Sequence, residues 1–296
     1  MKRLLFIFLL CLSLLCSCTQ NIGSYLSEFR FDNDSLPDGN GNKIKVIILS
    51  GQSNATGCSW PEYLSSDPDY ATYCAGYDNV LINYVTENSN MSNGFVPVSL
   101  GQGFDGVCFG PEVGMAAEWS CENPTETILI IKYAYGGANL FKHFNSVTNG
   151  PMYSSLVSFV STNLDYLVSK GYEPEVIGFC WMQGESDSFE RTVVHYQKHE
   201  KRLFCNIRSR FAAWASADGI RIVDAGISEC WPCYLLTNEI KQKVASDLEN
   251  VVFIDTIKAG LTTEHEPYGN VDKAHYDASS EILLGKLFVQ ALSSVL

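Results

Sequence analysis

Three apolar runs in this chain end in turns of glycine and polar residues, and this repeated pattern most limits the possible folds. The runs cover residues 46–49, 128–131 and 176–181, and each has the length and composition of a buried strand. The turns that follow are Gly51-Gln52-Ser53-Asn54, Gly136-Gly137-Ala138-Asn139 and Gln183-Gly184-Glu185-Ser186-Asp187. Glycine, serine and asparagine are common in turns for geometric reasons, so each sequence by itself indicates only a turn.

Segments with helical spacing alternate with these runs and with two further apolar runs. The helical segments lie near residues 111–119, 152–170, 192–217 and 280–296, and the further runs lie at 220–223 and 251–254. This alternation predicts an α/β fold with three α/β/α layers and a central parallel sheet of about five strands. Parallel strands end at one edge of a sheet, so we expect the three polar turns to line one pocket.

The amino terminus has the features of an export signal. Met1-Lys2-Arg3 precedes a short apolar stretch and then Cys16-Ser17-Cys18, a pattern too short for a spanning helix. Leu15-Cys16-Ser17-Cys18 also resembles the bacterial lipobox, which implies cleavage before Cys18 and a lipid on it; plain secretion is the alternative. We expect a signal peptide over 1–18, a polar tether over 19–42 and one domain over 43–296, in an exported lipoprotein of the periplasm or cell surface.

The formal charge of −13 limits the partners of the protein. A strongly acidic surface disfavours nucleic acid and anionic membranes, so we expect membrane contact only through the lipid on Cys18. A neutral or weakly charged small substrate fits this surface better.

Eight cysteines lie beyond the signal region, and an even number in an exported chain permits disulfides. Spacing does not determine the pairing, and we expect Cys58 with Cys74 and Cys108 with Cys121. Cys230-Trp231-Pro232-Cys233 follows a strand and precedes a helix, as in thioredoxin-like proteins. A thiol-disulfide oxidoreductase is therefore an alternative function, although it leaves the three polar turns without a role.

A serine nucleophile needs a base, and the base needs an orienting acid. Among five histidines, His275 follows Asp272 by three residues in a loop before the last helix, so the two side chains can reach one site. His195 and His199 lie one helical turn apart and could share a metal, but no third ligand is evident and a solvated helix face is favoured. His143 and His265 have no comparable acid.

The polar turns and the Asp272-x-x-His275 pair, in this order, resemble motifs of the SGNH carbohydrate esterases. These enzymes include sialate O-acetylesterases and acetylxylan esterases of the carbohydrate esterase family 6 type. The resemblance spans nearly the whole domain. The resemblance implies a flavodoxin-like sheet and removal of O-acetyl groups from sialic acid or xylan-type glycans. An acetylated sugar is the implied partner, and neither a metal nor an organic cofactor is implied.

The resemblance also implies a role for each residue of these motifs. Ser53 is the implied nucleophile, His275 the base and Asp272 its orienting acid. The implied oxyanion donors are the N–H of Ser53, an N–H of Gly136 or Gly137, and the side-chain amide of Gln183. The implied supporting residues, which hold the turns together, are Gln52, Asn54, Glu112, Glu185 and Asp187. The alternatives are the oxidoreductase that uses Cys230 and Cys233, and a glycan-binding surface lipoprotein without catalysis.

Overall fold

The central strand β1, Lys43–Gly51, is apolar on both faces and is therefore covered on both sides. Its residues Val46, Ile47, Ile48 and Leu49 are fully buried. The computed structural model describes residues 29–264 and 272–294. In it, β1 pairs in parallel with β4, Ile128–Ala134, on one side and with β5, Glu173–Met182, on the other. Gly51 is in register with Ala134 and Met182, so the three polar turns leave the sheet at one edge.

The described sheet has seven strands in the order β3-β2-β4-β1-β5-β6-β7. The other strands are β2 (Tyr77–Val85), β3 (Val96–Val98), β6 (Arg221–Ala225) and β7 (Val251–Ile254). Only β3 is antiparallel to its neighbour in this sheet. The predicted α/β class is confirmed. The expected number of about five strands is too low, because β2 and the short β3 also join the sheet at its edge.

Seven α-helices of the described residues surround the sheet. They are α1 (Ser53–Thr56), α2 (Tyr70–Ala75), α3 (Pro111–Glu122), α4 (Pro151–Ser169), α5 (Val193–Arg210), α6 (Tyr234–Asp247) and α7 (Ala278–Ser293). α3 and α7 lie against each other so closely that a methyl group on Gly114 would overlap the Ile282 carbonyl. On the other face, Phe159 of α4 packs on Tyr133, and Phe204 of α5 packs on Phe179. The sheet is thus covered by helices on both faces.

The segment before β1 is packed on the domain from Phe31 onward. The Phe31 ring stacks on Tyr166 with centroids 3.6 Å apart, Ser35 N donates to Phe95 O at 2.9 Å, and Leu36 is buried. The tether predicted over 19–42 is therefore wrong for its last part, because these contacts make residues 31–42 part of the compact unit Phe31–Leu296. The predicted signal peptide and Cys18 lie outside the described residues. Within the described ranges, no helix is long and apolar enough to span a bilayer.

All eight cysteines of the domain are free thiols. The pairs expected from the sequence, Cys58 with Cys74 and Cys108 with Cys121, are therefore wrong. In each pair the second cysteine is exposed on a helix, whereas Cys58 is partly buried beside the Ser53 carbonyl and Cys108 is buried.

Candidate active site

The turn after β1 places Ser53 at the first position of α1. Gly51 has φ +148, and a methyl group there would overlap the Met182 carbonyl, so this close approach to β5 requires glycine. Gln52 N then donates to Met182 O at 2.9 Å. Ser53 is 9% exposed. Its backbone N–H has no hydrogen-bond partner among the described residues, so it remains available to a ligand.

Asn54 joins the turn of Ser53 to two other segments. Its Oδ1 accepts from Tyr276 N at 3.0 Å, and its Nδ2 donates to Glu185 Oε1 at 2.8 Å. Ser59 Oγ donates to the Tyr276 carbonyl at 2.9 Å. These bonds hold the residue that follows His275 against the nucleophile turn.

Asp272 and His275 form a close pair. His275 Nδ1 lies 2.6 Å from Asp272 Oδ2, and Ala274 N donates to Asp272 Oδ1 at 3.0 Å. Burial by itself raises the pKa of Asp272, but the hydrogen bond and charge of His275 and the Ala274 N–H outweigh it, and the pKa is lowered. The pair is partly open to solvent, with 24% of the His275 side chain and 63% of the Asp272 side chain exposed. With its proton on Nδ1, His275 leaves Nε2 free to accept another.

The two glycines after β4 differ in what their N–H groups contact. Gly136 N donates to Glu87 Oε2 at 2.9 Å, whereas the N–H of the exposed Gly137 has no partner within 29–264 and 272–294. A methyl group on Gly136 would overlap Glu87 Oε1 and would lie 3.8 Å from Ser53 Cβ. Gly136 therefore lies beside the nucleophile turn, and Gly137 has the open donor.

Gln183 has a different environment from the one expected for an oxyanion donor. Its buried Nε2 lies 2.7 Å from Asp187 Oδ2, 3.2 Å from Gln52 Oε1 and 3.3 Å from Ala138 O. Its Oε1 accepts from Tyr196 OH at 2.9 Å. An amide nitrogen has two N–H groups, and both are directed at protein acceptors here. In this structure the Gln183 amide holds three turns together, and its role as an oxyanion donor stays a prediction.

The carboxylates expected to support the site lie inside the turns. Asp187 accepts from Leu140 N at 2.7 Å and Phe141 N at 3.4 Å. Burial raises the pKa of both Asp187 and Glu185, and hydrogen bonds offset part of this rise. Glu112 instead lies at the start of α3, where it accepts from Gly110 N at 2.9 Å and pairs with Lys132 at 2.7 Å.

The sequence patterns did not predict a group of buried charges that contacts Gln183. Lys241 Nζ donates to Gln183 O at 2.7 Å and lies 2.6 Å from Asp224 Oδ1 and 3.3 Å from Glu200 Oε1. Burial raises the pKa of Asp224 well above its usual range, and the neighbouring Glu200 raises it further. Asp224 in the apolar strand β6 could have indicated this group, because a buried carboxylate needs a partner.

His143, His195 and His199 do not form a metal site with other described residues. The rings of His195 and His199 lie 6.3 and 5.4 Å from that of Phe141, and His143 Nδ1 accepts from Asn139 N at 3.0 Å. No group of three potential ligands from His, Cys, Asp and Glu occurs in the described part of the chain. His265 lies outside the described residues.

Cys230 and Cys233 lie in the predicted position between β6 and α6. Burial raises the pKa of Cys230, and both thiols are free. A redox-active cysteine requires a lowered pKa, so this environment is unfavourable for the oxidoreductase alternative.

Comparison with known proteins identifies related sequences and folds. Residues 43–294 match a family described as carbohydrate esterase, sialic acid-specific acetylesterase. NanS has a TM-score of 0.63 at 15% identity, covering 85% of this chain and 97% of that chain. A protein from Arabidopsis thaliana has a TM-score of 0.62 at 19% identity, covering 84% and 98%.

A third structure, a carbohydrate acetylesterase from Xanthomonas citri, has a TM-score of 0.55 at 16% identity, covering 83% of this chain and 55% of that chain. At these identities the structural likeness establishes the fold alone. The comparison with curated proteins gives no match.

Proposed function

The chain belongs to the carbohydrate esterase family of sialic acid-specific acetylesterases, and from this premise we propose that it removes O-acetyl groups from sugar hydroxyls with Ser53 as nucleophile. An Asp–His pair held beside a strand-end serine is the arrangement that activates a serine. The observation that carries the proposal is the pair of Asp272 and His275, joined to the Ser53 turn through Asn54 and Tyr276.

In the proposed reaction, Ser53 Oγ attacks the acetyl carbonyl carbon while its proton passes to His275 Nε2. Asp272 holds the imidazole and stabilises its positive charge. Collapse of the tetrahedral intermediate breaks the ester bond, and His275 returns the proton to the departing sugar oxygen. Water then attacks the acetyl-Ser53 ester with His275 again as base, which releases acetate and restores the serine.

The negative charge on the carbonyl oxygen needs donors that are not already bonded. The N–H groups of Ser53 and Gly137 meet this requirement among the described residues, whereas those of Gly136 and of the Gln183 amide are directed at protein acceptors. We therefore assign the oxyanion hole to Ser53 and Gly137. One such donor contributes about 3–4 kcal/mol to transition-state stabilisation.

Ser53→Ala tests the assignment of the nucleophile. Hydrolysis of 4-nitrophenyl acetate is expected to fall by about four orders of magnitude or more, with an unchanged thermal melt. Ser50→Ala is the matched control, because Ser50 is buried three residues away and its Oγ has no partner among the described residues. Activity of Ser53→Ala within about tenfold of wild type would refute the mechanism.

The acetylated sugar is proposed from the family, with sialic acid and xylan-type glycans as the candidates. Acetate release from a panel of acetylated glycans, measured on wild type and Ser53→Ala, distinguishes them. Release that is equal in the two proteins contradicts enzymatic deacetylation by Ser53.

We also propose export and a lipid on Cys18, which rests on the lipobox-like sequence alone. The protein is then expected in the membrane fraction of its cells, and Cys18→Ser is expected to release it into the soluble fraction. Equal partition of the two proteins contradicts the anchor.

A further inference from the structure

Glu87 is an acidic side chain at the candidate active site with no role in the reaction described above. It lies in the single helical turn Glu87–Ser89 after β2, and its carboxylate is mostly buried. Its Oε2 accepts from Gly136 N at 2.9 Å and from Thr56 Oγ1 at 3.3 Å. Thr56 belongs to the same short helix as Ser53.

The carboxylate and the nucleophile flank one face of Gly136. A methyl group placed there would overlap Glu87 Oε1 and would also lie 3.8 Å from Ser53 Cβ. Glu87 is held in this position by its neighbours, because Thr86 Oγ1 and Asn90 Nδ2 donate to the Gly103 carbonyl at 3.0 and 2.7 Å. An ester carbonyl at Ser53 therefore reacts beside a fixed carboxylate.

The buried cation that acts on this carboxylate is matched to another acid. Lys132, whose charge reaches Glu87, pairs with Glu112 at 2.7 Å. Burial raises the pKa of Glu87 overall, and the Gly136 N–H, Thr56 and Lys132 offset part of that rise. Because Oε2 accepts hydrogen bonds from Gly136 N and Thr56 Oγ1, these donors stabilise the carboxylate, and in this ionised form Glu87 places a negative charge beside the ester.

We propose that Glu87 selects substrates by their charge, so that the enzyme prefers acetyl esters of sugars with no anionic group close to the ester. This inference rests on the proposed function. It favours neutral sugars over uronic acids and other sugar acids acetylated near their carboxylate. Repulsion between the Glu87 carboxylate and a substrate carboxylate about 6 Å away, at an effective dielectric constant of about 20, lowers kcat/KM roughly a hundredfold. Screening by salt reduces this effect to about tenfold.

The test compares two substrates that differ in charge alone. Methyl 3-O-acetyl-glucuronoside carries a carboxylate on the ring, and its uronamide carries a neutral amide in the same place. We expect wild type to have a kcat/KM about tenfold higher for the amide at pH 7.5, and Glu87→Gln to reduce this ratio to about threefold or less. Glu175→Gln is the control, because it makes the same change in net charge at the surface pair with Lys43. It is expected to keep the wild-type ratio.

A second measurement needs no variant and so does not depend on the folding of Glu87→Gln. Raising the salt concentration from about 20 to 500 mM is expected to reduce the wild-type ratio of kcat/KM for the amide to that for the acid several-fold. A wild-type ratio near one, a ratio that salt leaves unchanged, or a Glu87→Gln ratio within twofold of wild type would overturn the proposal. In these cases Ser53-dependent hydrolysis of 4-nitrophenyl acetate persists, whereas its absence would refute the proposed function itself.

Discussion

Replacing Lys241 with methionine removes the cation at the centre of the buried charges behind the candidate active site. Lys241, Asp224 and Glu200 are all fully buried, and the ammonium lies 2.6 and 3.3 Å from the two carboxylates. Methionine has a similar length and volume, so the packing of the stem is retained. The main consequence is that two acids remain in the interior without their counter-charge.

The expected loss of stability follows from this geometry. Breaking a buried ion pair by removing one partner costs about 3–5 kcal/mol, and for a domain of this size about 1 kcal/mol corresponds to 2–4 °C. Burial already raises the pKa of Asp224 and Glu200, and loss of Lys241 raises both further. An acid whose pKa is higher in the folded than in the unfolded state loses stability as pH rises through that interval. The loss is therefore larger at high pH.

Thermal and urea unfolding at pH 5 and pH 8 measure the effect. We expect Lys241→Met to lower Tm by about 6–20 °C at pH 8 and clearly less at pH 5. Lys201→Met is the control, because its pair with Asp247 is partly exposed, at 33% and 30%, and is worth about 1 kcal/mol or less. A loss below about 1 kcal/mol at pH 8, or an equal loss at both pH values, would refute the reasoning.

Two further variants test positions near the candidate site. Glu281 is fully buried, its carboxylate oxygens have no partner among the described residues, and burial together with Glu112 raises its pKa well above the usual range. The unfolded chain releases this proton at a lower pH than the folded protein does, so wild type loses stability as pH rises. Glu281→Gln is therefore expected to gain Tm relative to wild type between pH 5 and pH 8; a constant difference contradicts this. Gly136→Ala places a methyl group against Glu87 and Ser53, and we expect kcat/KM for 4-nitrophenyl acetate to fall at least about tenfold with a small change in Tm. Activity within twofold of wild type contradicts the crowding of this position.

Local pattern was sufficient to predict the framework of the fold. The apolar runs at 46–49, 128–131 and 176–181 lack the alternating polar residues of a strand with one solvent-exposed face. They occupy the middle of the sheet. Because they are parallel and in register, the turns at Ser53, Gly136 and Gln183 leave one edge, as the alternation with helices predicts. The catalytic roles of Ser53, Asp272 and His275 stay predictions.

The contacts inside the site could not be predicted, because they depend on which side chains meet across the fold. Glu87 lies in an irregular polar segment, and no local spacing links it to Gly136, 49 residues later. The Gln183 amide likewise meets Gln52, Ala138 and Tyr196, and no local spacing links these residues to it. Spacing also failed for the cysteines, since pairing depends on where their side chains lie in the folded chain.

The bond from Tyr276 to Asn54 joins residues 222 positions apart, and it has a consequence for the order in which a growing chain becomes an enzyme. Ribosomes deliver the nucleophile turn first, but its flanking strands end only at Ala134 and Met182, and the Asp272–His275 pair comes later still. A nascent chain can therefore complete its sheet while it still lacks the proposed base. On the proposed roles, catalytic competence begins only after residues 272–276 have been made, so Ser53 is synthesised well before it can be activated.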